Sequence, residues 1–200
     1  MPITVLDQGQ NNQVIIPDSV REQSNCRIIL RGSGNRIEIK DRCRLAGDAS
    51  INLGSDCKVF FDEGSNLQMM EIFAADKAII NLGKVISCSW HTRIYCHEPA
   101  KVTVGYDCLI ASGVLLTASD MHSIIDIESG DRINPAQDIV IEDHVWLASS
   151  VRVMKGVSIG KDSAIGVGAI VTTNIPPQCV AVGIPAKIIK TGTTWKHELI

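Results

Sequence analysis

Large aliphatic residues recur at every sixth position along residues 141–176 of the chain. The series contains six of them: Ile141, Leu147, Val153, Ile159, Ile165 and Val171. Four positions after each comes a residue that is mostly small or β-branched: Val145, Val151, Val157, Ser163, Ala169 and Ile175. A period of six fits neither the 3.6-residue repeat of an α-helix nor the alternation of an ordinary strand. It predicts an all-β fold, a parallel β-helix of stacked coils.

The same repeat extends towards the N-terminus in a less regular form. It starts near Cys26 and slips by two residues before Leu53, and for residues 62–78 both an imperfect coil and a small protrusion remain open. Residues 1–24 are expected to form a capping coil, because the terminal repeats of a solenoid need a polar outer end. With three hexads per coil, we expect about 18 residues per coil and about seven to eight coils. The repeats predict one domain over residues 1–190 and a short tail over 191–200.

One insertion interrupts the repeat between residues 117 and 138. The hexads stop after Leu116 and resume in step at Ile139, and the residues between them include Asp120, His122 and Asp126. A solenoid accepts such an insertion as a surface loop, often on its binding face. Loops held on a rigid scaffold are also where catalytic residues concentrate.

The composition narrows the class of protein. Hydrophobic residues make up 45% of the chain and aromatic residues only 4%, which fits the narrow aliphatic layers of a solenoid. A net charge of −3 argues against a nucleic-acid partner or an anionic membrane surface. No apolar run approaches the roughly 18 residues of a membrane span, and the first residues do not have the pattern of a signal peptide.

The seven cysteines do not indicate a disulfide framework or a zinc site, because they are odd in number and lack CxxC spacing. Cys43, Cys57 and Cys108 each occupy the small inward position of a hexad. We interpret them as small core residues of a protein in the reducing cytoplasm.

Several segments of the second half resemble the hexapeptide-repeat acyltransferases. They are residues 120–124, 139–147, 166–172, 174–177 and 182–187. Within that family the chain looks most like the O-acetyltransferases that act on sialic acid or capsular polysaccharide. The resemblance implies a left-handed β-helix, direct transfer of an acetyl group from acetyl-CoA to an acceptor hydroxyl, and a homotrimer with its active sites between subunits. No metal is expected, because the chain has no closely spaced histidine pair near His122.

The resemblance also implies roles for individual residues. His122 matches the general base, and an imidazole with a pKa near 6.5 suits a base that takes a proton and returns it. Trp146 and Asp120 are expected at the acceptor and pantetheine side of the site. The residues expected to bind the CoA moiety, by backbone amides, close backbone approach or phosphate contacts, are Ala148, Ser149, Gly166, Gly168, Thr172, Thr173, Lys187 and Lys190. The other histidines, His91, His97, His144 and His197, are interpreted as ordinary polar residues, although His91 and His97 also suit a subunit interface.

Three other functions stay open. The acceptor could be serine, a chloramphenicol-like xenobiotic or a simple galactoside. Some trimeric β-helices are zinc carbonic anhydrases, but the closely spaced histidine pair of those enzymes has no counterpart near His122. A non-catalytic assembly or binding module is the third alternative.

Overall fold

Three β-sheets, parallel except for the last strand of the third, form the sides of a three-sided rod in the computed structural model, which describes residues 2–200. The first sheet contains β1 (Thr4–Asp7), β3 (Cys26–Leu30), β6 (Ala49–Leu53), β9 (Glu71–Ala74), β12 (Arg93–Cys96), β15 (Leu115–Thr117), β18 (Arg152–Met154) and β21 (Ile170–Val171). The second contains β2 (Gln13–Ile15), β4 (Arg36–Ile39), β7 (Lys58–Phe61), β10 (Ile79–Leu82), β13 (Lys101–Val104), β16 (Ile139–Ile141) and β19 (Ser158–Ile159). The third contains β5 (Arg44–Ala46), β8 (Asn66–Gln68), β11 (Ser87–Cys88), β14 (Leu109–Ile110), β17 (Trp146–Leu147), β20 (Ala164–Ile165), β22 (Cys179–Val182) and β23 (Lys187–Thr191). The chain visits the sheets in turn, so each circuit of three strands is one coil.

The core is a stack of aliphatic layers inside the rod. Each hexad aliphatic points inward and stacks on its counterpart one coil away, as Leu147 does between Ile110 and Ile165. Neighbouring residues such as Trp146 point outward because side chains alternate along a strand. The small hexad positions are also buried, Cys43, Cys57 and Cys108 among them. The six-residue pattern therefore identified the inward face correctly.

Coil length differs between the two halves of the rod. Before the insertion, paired residues on adjacent coils of the first sheet are 21 to 23 positions apart, as for Arg27 and Ser50 or Glu71 and Arg93. After it, Arg152 pairs with Ile170, 18 positions later. The expected 18 residues per coil is therefore wrong for the N-terminal half. Strands there are mostly three to five residues long, whereas those after the insertion have two or three until β22, which accounts for the slips in the sequence repeat.

Residues 62–78 form part of a regular coil. They contain β8 and β9, and Leu67 and Ile72 are fully buried in the core. Of the two possibilities left open by the sequence, the coil is correct. A polar turn and the adjacent Met69-Met70 pair had obscured the inward positions.

The first coil is irregular at its third side. After the exposed β1 and β2, the chain forms the short helix α1 (Asp18–Gln23) in place of a third strand. Val20 of this helix is fully buried, so the helix closes the end of the aliphatic stack. The division into a capping coil over 1–24 and a tail over 191–200 stays a prediction.

No helix among residues 2–200 has the length and apolar character needed to cross a lipid bilayer.

Candidate active site

The insertion leaves the rod at the corner between the first and second sheets, after β15, and returns at β16. Its outer part is a small antiparallel hairpin with a bridge between Ile125 and Arg132. Asp126 closes the tip by accepting hydrogen bonds from the amides of Glu128 and Ser129 (3.1 and 2.8 Å). Ile127 at the tip is fully exposed. The insertion is therefore an ordered loop and not a flexible tether.

One buried side chain, Asn134, holds the two arms of this loop together. Its Nδ2 donates to Oδ2 of Asp120 (2.9 Å) and to the carbonyl oxygen of His122 (2.8 Å). Its Oδ1 accepts from the amide of Ile124 (2.7 Å) and from Nε of Arg132 (3.3 Å). Three alternate residues of the first arm, 120, 122 and 124, thus contact one amide group.

Two ion pairs attach the loop to the coils on either side of it. Nζ of Lys155, which follows β18, donates to Oδ2 of Asp120 and to the carbonyl oxygen of Asn134. Arg132 forms a bidentate ion pair with Glu98, which follows β12. The hydroxyl of Ser119 donates to the same carboxylate. The loop is fixed to the rod at both ends.

These contacts lower the pKa of both carboxyl groups. The Arg132 guanidinium, and after it the Ser119 hydroxyl, lower the pKa of Glu98 from 4.5 to about 2. Lys155 and then Asn134 lower the pKa of Asp120. Both groups are therefore charged in the folded state at neutral pH.

A pH dependence follows for the attachment of the loop. Because the pKa of Glu98 is lower in the folded state, its stabilising effect is complete above about pH 4.5 and is lost as the pH falls towards 2. At pH 6 the amide hydrogens of Ile124 and Ile133 should exchange faster in the Glu98→Gln variant than in the wild type. The ratio of the variant rate to the wild-type rate should approach one near pH 2. Hydrogen exchange followed by mass spectrometry measures this ratio, and a ratio that does not change with pH would contradict the assignment.

His122 lies on the exposed side of this loop. Its amide donates to the carbonyl oxygen of Asp120 (2.8 Å) and its carbonyl accepts from Asn134, so both sides of its backbone are held. Within residues 2–200 its imidazole makes no hydrogen bond or aromatic contact, and the residue is exposed. A fixed backbone with a free imidazole is the geometry that a general base needs before substrate binds.

Trp146 lies on a different side of the rod, on the outer face of the third sheet, and it is 38% exposed. The C-terminal tail folds back beside it, and the rings of Trp195 and Trp146 are 6.2 Å apart. Trp195 is buried and donates from Nε1 to the carbonyl oxygen of His144 (2.8 Å). His197, further along the tail, contacts Asp107 (3.2 Å). The tail is therefore an ordered strap beside Trp146.

Ser149 is half-buried at the corner between the third and first sheets. The amide of Ala148 donates to the carbonyl of Ile165 (2.9 Å), so it is occupied. In the described chain the amides of Ser149 and of Val167, one coil further on, have no acceptor. Of the two predicted residues in this stretch, only Ser149 can offer a backbone donor to a ligand.

Gly166 and Gly168 are each required by the fold, for different physical reasons. Gly168 has a φ of +69°, which side chains other than glycine rarely adopt. At Gly166 a Cβ atom would come within 2.6 Å of Cγ1 of Val182 on the next coil. Both glycines are explained by the coils themselves, and close approach of a pantetheine arm stays a prediction.

The predicted phosphate contacts divide between two corners. Lys187 and Lys190 are exposed on β23, and Lys187 pairs with Val182, beside Gly166. Thr172 and Thr173 follow β21 at the corner between the first and second sheets. The structure brings the lysines, Gly166 and Ser149 to one end and side of the rod and places the two threonines across the first sheet from them.

Burial affects the side chains of His97 and of the cysteines. Burial lowers the pKa of His97, whose ring lies 4.7 Å from that of Phe73. Its Nε2 atom has no hydrogen-bond partner within residues 2–200, so His97 is not the ordinary polar residue that the sequence predicts.

All seven cysteines are buried and free, and burial raises the pKa of Cys26 and Cys96 to about 12. Such thiols are poor nucleophiles. No cluster of three metal-binding side chains occurs in the described part of the chain.

Comparisons with known proteins connect this arrangement to a family. No family model matches the chain. It is 45% identical over 107 residues, 52% of its length, to a polysialic acid O-acetyltransferase of Escherichia coli, and the match spans only 35% of that longer protein. It is 31% identical over 151 residues, 75% of its length, to the polysialic acid O-acetyltransferase of Neisseria meningitidis, and the match covers 69% of that protein. The chain belongs to the hexapeptide-repeat O-acetyltransferases.

A solved structure supports this membership. The crystal structure of the polySia-specific acetyltransferase NeuO superimposes with a TM-score of 0.91 at 34% identity, over 98% of this chain and 90% of that one. The family and the fold class, a left-handed parallel β-helix with one extruded loop, are thus confirmed. The predicted enzyme class follows from the family. The sequence missed Glu98, Arg132, Asn134, Lys155 and Trp195, whose positions beside the site depend on contacts between distant parts of the chain.

Proposed function

We propose that the protein transfers the acetyl group of acetyl-CoA to a hydroxyl group of a sialic-acid or polysaccharide-type sugar, with His122 as the general base. The observation that carries this proposal is the loop at the interrupted repeat. It holds the backbone of His122 rigidly and leaves the imidazole exposed for a substrate. The relatives at 45% and 31% identity, both polysialic acid O-acetyltransferases, favour this class of acceptor.

His122 takes the proton of the acceptor hydroxyl as the oxygen attacks the thioester carbonyl carbon. A C–O bond forms and the C–S bond breaks, and the imidazolium returns its proton to the departing sulfur. Atoms and charge balance without a covalent acetyl-enzyme. Histidine is the side chain best suited to take up and return a proton in this way close to neutral pH.

The corner between the third and first sheets fits the acetyl donor. The Ser149 amide, which has no acceptor in the described chain, is a donor for the negative charge that develops on the carbonyl oxygen. Lys187 and Lys190 are exposed cations at the same end of the rod, suited to phosphate groups. Trp146 supplies a partly exposed aromatic surface on the same sheet, three strands from β23.

A direct assay tests the proposed reaction. Purified protein is incubated with acetyl-CoA and an acceptor, and release of free thiol is followed together with the mass of the acceptor. Polysialic acid should gain 42 Da per modified residue, by the chemistry of O-acetylation. A panel containing serine, chloramphenicol and a simple galactoside identifies a different acceptor class. Absence of thiol release with every acceptor, combined with absence of CoA binding by calorimetry, would favour a non-catalytic role.

We infer further that the active protein is a homotrimer. The loop with His122 joins the first and second sheets, whereas Trp146 lies on the third, so one chain presents the two residues on different sides of the rod. Flat sides pack readily around a three-fold axis, and a neighbouring subunit can then bring its loop to this chain's Trp146. Free buried cysteines also suit a reducing compartment, and we propose a cytoplasmic location.

Trp146→Ala should raise KM by roughly tenfold, since truncation of a well-packed aromatic contact commonly costs above 1 kcal/mol. If sites lie between subunits, co-expression of Trp146→Ala with His122→Ala should restore activity. Random mixing leaves both residues intact at about one quarter of the sites of a trimer. Steady-state kinetics of the co-expressed protein measures this gain.

The control is a mixture of the two variants purified separately, which contains no hybrid trimers. Activity of the co-expressed protein that equals this mixture would place both residues in a site within one chain. An unchanged KM in Trp146→Ala would remove Trp146 from the site.

A further inference from the structure

We propose that Asn134 is a positioning residue that sets the placement of the His122 imidazole, and that Lys155 supports it from the next coil. The proposal rests on His122 being the base of the proposed function. Asn134 contacts the reacting group only through the backbone of His122. It therefore acts through another residue and not on the substrate.

The side chain of Asn134 is used completely. It is only 6% exposed, both Nδ2 hydrogens are donated and Oδ1 accepts twice. An amide is the only side chain of this size with two donors and an acceptor on one planar group. Aspartate has the same shape but lacks the donors, and it would place an oxygen against both the Asp120 carboxylate and the His122 carbonyl.

These contacts determine the position of His122. The carbonyl of His122 accepts from Asn134 (2.8 Å), and its amide donates to the carbonyl of Asp120 (2.8 Å). Two residues further on, the amide of Ile124 donates to Asn134 (2.7 Å). With the backbone fixed from 120 to 124, only the side-chain torsions of His122 remain free. The buried Asn134 side chain and its hydrogen bonds therefore make the exposed loop a rigid support for the base.

Lys155 links Asn134 to the rod. It donates to the carbonyl of Asn134 (2.9 Å) and to the Asp120 carboxylate, and its side chain is only 17% exposed. It follows β18, whose strand is one coil beyond β15, where the loop leaves the rod. Contacts with two successive coils of the rod therefore fix the loop that carries the imidazole.

Kinetics of Asn134→Ala and of the isosteric Asn134→Asp tests the proposal. We expect kcat to fall by roughly 10²-fold in each, because a displacement of about 1 Å can cost that much, while the Kd for CoA stays unchanged. Ile127→Ser in the exposed tip of the same loop is the matched control, and it should keep the wild-type kcat. Analytical ultracentrifugation and circular dichroism show whether each variant keeps the fold and assembly of the wild type.

A double-mutant cycle separates positioning from a merely structural effect. If Asn134 acts through His122, then Asn134→Ala should lower the residual rate by less than threefold in a His122→Ala background. An effect of full size in that background would overturn the proposal, as would wild-type kcat in Asn134→Asp. Where Asn134→Ala fails to fold, Asn134→Asp and Lys155→Met complete the same cycle.

The proposed function and this inference fail in different ways. Without acetyl transfer by the wild type, or with full activity in His122→Ala, the proposed function is wrong. With inactive His122→Ala and fully active Asn134 variants, only the positioning role is wrong.

Discussion

Replacement of His122 by alanine is expected to lower kcat for acetyl transfer by roughly 10²–10⁴-fold, the usual contribution of a general base. The residue is exposed and its imidazole makes no hydrogen bond or aromatic contact within residues 2–200, so its removal should leave the coils and the loop network intact. CoA affinity should stay unchanged, because the residues proposed to bind CoA, Ser149, Lys187 and Lys190, are all retained. Thiol release under saturating substrates gives kcat, and calorimetry gives the Kd for CoA.

Ser123→Ala is the matched control for this variant. Ser123 is the next residue of the same exposed arm and has no role in the proposed transfer. A His122→Ala protein that transfers acetyl groups at the rate of Ser123→Ala would show that another group is the base.

Phe61→Ala is expected to lower the free energy of unfolding by about 3–5 kcal/mol, as truncation of a buried phenylalanine does. Phe61 is fully buried on β7 and stacks between Ile39 and Leu82 of the neighbouring coils. A cavity in a solenoid weakens the contacts of its own coil with both neighbours, so the broadness of the transition should also increase. Urea unfolding at fixed protein concentration measures both quantities.

The adjacent residue Phe60 offers a control with the same chemistry. It is half-buried and points outward on the same strand, and the ammonium group of Lys40 lies 5.9 Å from the centre of its ring. Phe60→Ala should therefore cost no more than about 1 kcal/mol. Equal losses in both variants would mean that the alternation of inward and outward side chains does not determine stability in this strand.

The sequence determined the fold to the extent that the hexads are regular. From Ile141 onward paired residues on adjacent coils are 18 positions apart, and the period is visible directly, until the last coil, where Ala164 pairs with Val180, 16 positions later. In the N-terminal half, longer strands and corners of variable length break the period while the inward alternation persists, so the coil length there was wrong. The helix α1 was also missed, because one buried residue, Val20, gives no helical pattern.

The candidate site could be predicted where a residue interrupts a pattern. His122 lies in the break of the repeat, and Trp146 is a large aromatic in an outward position. Asn134 and Lys155 carry no such signal, because apart from Arg132 their partners are 10 to 35 positions away and the contacts exist only in the folded chain. Trp195 gave one hint, a large aromatic residue in an aromatic-poor chain, but its burial depends on the folded-back tail.

The C-terminal end of the rod also has a consequence for solubility. A stack of parallel coils ends in unpaired strand edges, which can template the addition of further chains and lead to fibres. In this chain the first two sheets end in strands of only two residues, and the third ends in the antiparallel β23, which carries Lys187 and Lys190. Short edges, reversed polarity and positive charge oppose end-to-end polymerisation. The same two lysines that are proposed to hold phosphate thus also keep an intrinsically extendable fold finite.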